Sequence, residues 1–189
     1  MKRMQKSAIV AMALAVMAMV GAGSASATTL EVGGVTKNES ITLTMTLAPG
    51  ASMITEDTPG TSLKKCKKSE LKGSTEGSFT GATLSGSVGT LTFAECDRAV
   101  TVHKAGTLSV SHIAGTTNGT VSSDGTHVTK GSPFGTLTCI TAGTHIGTLT
   151  GVASGHATLH VNAVLNCGIS ARWTGTYTVT SPTGLGVSP

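Results

Sequence analysis

The chain has 189 residues, of which 12% are charged and 3% aromatic. Soluble domains average about 25% charged residues, so threonine, serine and glycine must supply the polar surface, and a charge-faced helical bundle is excluded. Lys2, Arg3 and Lys6 account for most of the formal +4: residues 28–189 hold 10 basic against 9 acidic side chains, a balance of +1, which gives no ground for nucleic acid or an anionic membrane as a general partner.

Met1 to Ala27 has the layout of a secretory signal peptide. A basic start (Lys2, Arg3, Lys6) is followed by an uncharged apolar run, Ala8 to Val20, and by the small-x-small site Ala25-Ser26-Ala27. The run is shorter than the roughly 18 residues a membrane-spanning helix needs, so no transmembrane segment is expected after processing. The expected product is one domain over residues 28–182 with a loose tail, 183–189, and its location is extracellular or in the cell envelope.

Thr28 to Val35 reads as a first strand ending at Gly33-Gly34. Ile41-Thr42-Leu43-Thr44-Met45-Thr46-Leu47 alternates strictly, which predicts a half-buried strand ended by Pro49-Gly50. Met53 to Gly60 reads as a polar loop. Lys64, Lys65, Lys67 and Lys68 surround Cys66, with Lys72 nearby, and this segment reads as a loop or short edge strand. Further strands are expected at Ser78 to Leu84, Thr90 to Phe93, Val100 to His103 and Thr107 to Ser111, with a bulge between Phe93 and Cys96. Asn118-Gly119 and Asp124-Gly125 are turn pairs, and strands follow at Thr126 to Thr129, Phe134 to Ile140 and Ile146 to Val152. In His156 to Cys167, Leu159, Val161, Ala163, Leu165 and Cys167 share one face. In Arg172 to Thr180, Trp173, Tyr177 and Val179 oppose Arg172 and four threonines. Pro182 and Gly184 then lead into the tail. Many short strands with turn signals indicate an all-β fold, and an antiparallel β-sandwich of Greek-key or jelly-roll type is expected.

Four cysteines in an exported chain favour disulfides over metal ligation. Cys139 and Cys167 lie on apolar strand faces, and Cys66 and Cys96 fall near strand ends. The preferred pairing is therefore Cys66–Cys96 and Cys139–Cys167, with crossed pairings open. Closing loops of about 30 residues stabilises by about 3–4 kcal/mol each.

No catalytic, cofactor or metal-binding set is read from the chain. His156 and His160 would span about 13–14 Å on a strand, too far for one ion. No nucleophile sits beside a base in a recognisable motif, so a non-enzymatic role is expected. Lys64, Lys65, Lys67, Lys68 and Lys72 are candidate contacts for a polyanion, against the plainer reading of a solvated segment whose lysines blunt an edge. Trp173 and Tyr177 are expected in the core. The expected role is a surface, structural or self-associating protein touching cell-wall polymer or its own copies; the alternative is an extracellular module for a glycan or a small apolar ligand.

The phrases Ile41 to Leu47, Gly135-Thr136-Leu137-Thr138-Cys139, Val164-Leu165-Asn166-Cys167-Gly168 and Trp173-Thr174-Gly175-Thr176-Tyr177-Thr178-Val179 resemble small exported bacterial proteins of unassigned function. The Cys-Gly and Trp-x-Gly-Thr elements are similar to the family named protein activator of alkane oxidation. The resemblance implies export and β structure, and it carries over no catalytic or binding residue.

Overall fold

A computed structural model describes residues 27–51, 53–58, 61–77, 81–132, 135–141, 144–168 and 170–189. Apart from Ala27, the expected signal peptide lies outside the described residues. The described residues form strands and turns without a helix, and none of them forms a helix long and apolar enough to cross a membrane.

Among the described residues, twelve strands make one sheet that closes on itself as an eight-staved barrel. The staves run in chain order. The first is β3 (Thr42–Leu47) continued by β4 (Met53–Thr58), and the next two are β5 (Thr61–Thr75) and β6 (Leu84–Cys96). The fourth is β7 (Val100–Lys104) with β8 (Thr107–His112), the fifth β9 (Gly119–Asp124) with β10 (His127–Ser132), and the sixth β11 (Gly135–Ile140) with β12 (Thr144–Thr150). The last two are β13 (Thr158–Asn166) and β14 (Ser170–Ser181). Each stave lies antiparallel to its sequence neighbours. The ring closes where β14 meets β3 through Tyr177↔Leu47, Thr178↔Thr46 and Val179↔Met45.

This corrects the expected sandwich. Alternating burial only requires that one face of each strand be covered, and a sheet can cover its own inner face by curling. Eight staves enclose a space just wide enough for side chains to fill. The inner layer includes Met45, Leu91, Val121, Ile146, Leu159, Val161, Leu165, Trp173, Tyr177 and Val179, all buried. Strand β13 shows the pattern plainly: Leu159, Val161, Ala163 and Leu165 are buried, while His160, Asn162, Val164 and Asn166 are exposed. Each fully buried aliphatic or aromatic side chain contributes roughly 1.5–3 kcal/mol.

Three neighbouring staves are interrupted at the same level, at Ala105-Gly106, at Gly125-Thr126 and, between β11 and β12, at Thr141. The chain keeps its direction through each break. Asp124-Gly125, expected as a reversing turn, is therefore a kink within a stave. Gly106 has a φ of 80°, and a side chain there would strike the Asp124 carbonyl at 2.4 Å. A buried hydroxyl cluster compensates for the broken ladder. Ser123 Oγ lies 3.0 Å from Thr126 Oγ1 and 3.2 Å from Thr141 Oγ1, and the Thr126 hydroxyl donates to the Ala105 carbonyl at 2.9 Å.

A second sheet, in the order β15 (Leu185–Ser188), β1 (Thr29–Val32) and β2 (Val35–Lys37), closes one end of the barrel. Leu30 and Leu185 face the same small cavity as Leu43, Leu71 and Leu159. The Val152 N–H donates to the Leu185 carbonyl, and the Val187 N–H to that of Thr117. Residues 183–189, expected as a loose tail, are thus corrected: Leu185 and Val187 are fully buried and pair with β1.

Both disulfides have the preferred pairing, Cys66–Cys96 and Cys139–Cys167. They fit a protein that folds outside the reducing cytoplasm.

Candidate functional site on the outer face

The apolar interior cavities lined by described residues are small, about 50 Å³ at the capped end and about 20 Å³ each further along the axis. Sites for organic ligands usually run to roughly 300–1,000 Å³. The outer face therefore carries the candidate site, and it is built from the positions that alternate with the core.

Threonines stand in ranks across the staves because register partners on neighbouring strands point the same way. One rank runs Thr46 (β3), Thr178 (β14), Thr158 (β13) and Thr150 (β12). Another runs Thr176 (β14), His160 (β13), Thr148 (β12), Thr120 (β9) and Ser111 (β8). The first rank continues beyond Thr46 to Glu70 (β5) and Thr92 (β6). There the surface dips into a groove of about 390 Å³ lined by Thr46, Leu47, Lys67, Lys68, Glu70 and Thr92.

The lysine segment is neither a loop nor an edge. It lies inside the 15-residue strand β5, where Lys64 and Lys65 pair with β4, Lys68 with β6, and Lys72 with both β3 and β6. Backbone pairing opposes Lys64 to Thr55 and Lys65 to Ile54. Lys65, Lys67, Lys68 and Lys72 are exposed. Acidic residues are threaded among them. Lys68 Nζ is 2.5 Å from Glu95 and Lys72 Nζ is 2.9 Å from Glu70. The backbone N–H of Lys65 donates to the Asp97 carboxylate at 3.1 Å. Hydrogen bonding and then charge attraction between Lys68 and Glu95 raise the lysine's pKa and lower that of the carboxyl. The candidate polyanion contacts thus form a cationic patch with built-in counter-charges, in which, among the described residues, Lys65 and Lys67 have no carboxylate in salt-bridge contact.

The histidines are dispersed. His156 Nδ1–H donates to the Val179 carbonyl at 2.9 Å, and His160 Nδ1 lies 3.3 Å from Thr176 Oγ1. His112 and His145 donate to the Thr116 and Gly147 carbonyls. The rings of His103 and His127 stand 5.0 Å apart, with His103 Nε2 3.0 Å from Thr129 Oγ1. Among the described residues no three His, Cys, Asp or Glu side chains are placed to share a metal ion.

Trp173 and Tyr177 point inward as expected, so they offer no stacking platform for sugars. Trp173 packs edge-on against Phe93 and Tyr177 at centroid distances of 5.6 and 6.5 Å. The Tyr177 hydroxyl donates to Ser69 Oγ at 2.9 Å. Trp173 Nε1 lies beside the phenol oxygen without a well-formed hydrogen bond of its own.

The chain matches no protein-family model, no curated protein and no solved structure. The functional reading rests on these residues alone. The groove was only half visible in the sequence: Lys67 and Lys68 stand out there, whereas Thr46 and Thr92 join them only through the registers of β3, β5 and β6.

Proposed function

We propose that the protein acts outside the cytoplasm as a non-enzymatic, disulfide-stabilised surface module that contacts envelope or extracellular polymer through its outer face. The observation that carries this reading is the division of labour across the barrel wall. Most of the large apolar side chains among the described residues are spent on a packed and capped interior, with Val35, Ile140 and Val164 exposed, and the outward positions present hydroxyl ranks leading to the groove beside Lys67 and Lys68. An outer-membrane barrel shows the opposite arrangement, an apolar band facing outward. In β14 the outward positions are instead Arg172, Thr174, Thr176, Thr178 and Thr180.

Hydroxyls and cations together suit a hydroxyl-rich polymer bearing anionic groups, such as an acidic polysaccharide or a wall phosphate polymer. The small volumes of the interior cavities lined by described residues speak against a small apolar ligand held there. Barrel closure also weakens self-association by strand-edge pairing, because closing the sheet removes most of its edges.

Co-sedimentation of purified residues 28–189 with isolated wall polymer tests the reading. Binding should weaken as salt is raised, since exposed charges are screened beyond about 8 Å at physiological ionic strength. It should also weaken in the Lys67→Gln/Lys68→Gln variant. Absence of binding at low salt would refute polymer contact.

A further inference from the structure

We infer that Cys66–Cys96 is a thiol–disulfide exchange site for small anionic thiols, whereas Cys139–Cys167 is a closed structural bridge. Three observations separate the two.

The first is access. Cys139 and Cys167 are 1% and 5% exposed, so attack on either sulfur requires local opening. Cys66 is equally buried at 1%, but its partner Cys96 is only partly buried, at the end of β6 beside the exposed residues Glu95 and Asp97.

The second is charge. Lys65, Lys67 and Lys68 lie within two positions of Cys66 and are exposed, and Arg98 is two beyond Cys96. Together they outnumber Glu95 and Asp97. A net positive field draws in an anionic thiol and stabilises a departing thiolate.

The third is mechanical. Cys66 and Cys96 are direct partners at the end of a β5–β6 ladder that runs on to Thr75↔Gly86. Opening this bridge leaves that ladder in place. By contrast, among the described residues β11 meets β13 only at Ile140↔Asn166, and Cys139–Cys167 fastens the two strands at that point.

In the exchange step a thiolate attacks Cys96 Sγ. A mixed disulfide forms there, the Sγ–Sγ bond breaks, and Cys66 leaves as a thiolate. A second thiolate attacks the small-molecule sulfur of the mixed disulfide and releases Cys96, so two thiols are oxidised to one disulfide as the bridge is reduced.

The test incubates the folded, oxidised full mature chain with glutathione or with neutral 2-mercaptoethanol, followed by alkylation and peptide mass mapping. Cys66 and Cys96 should be labelled about tenfold or more faster than Cys139 and Cys167, since each 1.4 kcal/mol of opening free energy is a factor of ten. The rate with glutathione relative to 2-mercaptoethanol should fall roughly threefold or more in the Lys65→Gln/Lys67→Gln/Lys68→Gln variant at low salt. The inference is overturned if the two bridges open together, if Cys139–Cys167 opens first, or if the glutathione-to-mercaptoethanol ratio is unchanged in the variant. The readout is chemical and does not depend on polymer binding, so either idea can fail alone.

Discussion

Tyr177 is the sole tyrosine of the chain and Trp173 the sole tryptophan, which makes the barrel core unusually easy to interrogate. Burial pushes the Tyr177 phenol up to about 12, and the hydrogen bond with Ser69, helped by the Trp173 N–H beside the phenol oxygen, offsets part of that rise. An unfolded tyrosine titrates near 10. The folded state therefore holds its proton more tightly than the unfolded state does. The stability from the neutral phenol is fully present below pH 10 and is lost as the pH climbs from about 10 to about 12. Two pK units correspond to about 3 kcal/mol. Absorbance at 295 nm reports this one phenolate, while Trp173 fluorescence reports whether the barrel is still folded. The phenolate signal should stay silent near pH 10 and rise near pH 12, together with unfolding. In Tyr177→Phe the alkaline decline should flatten. At neutral pH that variant should lose about 1–2 kcal/mol, because Ser69 Oγ keeps its buried place without its donor. Adding Ser69→Ala should recover much of the loss. A phenolate midpoint near 10 in a protein with native Trp173 fluorescence would refute the buried Tyr177–Ser69 pair.

Other changes probe the frame. Gly147→Ala places a methyl 2.0 Å from the His160 carbonyl oxygen in the adjacent strand, so the urea midpoint should drop sharply or the protein should fail to fold. Deleting 185–189 removes Leu185 and Val187 from the cap. The loss should match or exceed that of one buried Leu→Ala change, about 2–5 kcal/mol, whereas a loose tail could be removed without effect. Neutralising the exposed Lys68–Glu95 pair with glutamines should leave the urea midpoint unchanged within error.

Much of the local structure was legible in the sequence. The alternation from Leu159 to Leu165 fixed which side of β13 is buried, and the apolar parity of Cys139 and Cys167 anticipated their bridge. Trp173 and Tyr177 followed from sharing a face with Val179. The closure was not legible. Parity says that a face is covered, not by what, and the pairing of β3 with β14 joins segments about 130 positions apart. Strand β4 was hidden because Thr55, Glu56, Asp57 and Thr58 read as loop chemistry, while its pairing comes from the flanking strands β5 and β14. The last strand was hidden by Pro182 and Gly184, which signal an ending to local reasoning, although Leu185 and Val187 are held by β1 at the other terminus. The groove had the same limitation, since it exists only where three registers coincide.

Closure of the sheet is the claim on which the filled interior and the outward-facing site depend. Nuclear Overhauser contacts across the β3–β14 seam in isotopically labelled residues 28–189 test it most directly. Cross-strand contacts between Met45 and Val179, and between Thr46 and Thr178, are the predicted result. Their absence, with contacts of the seven other stave boundaries intact, would mean an open sheet and would contradict the barrel.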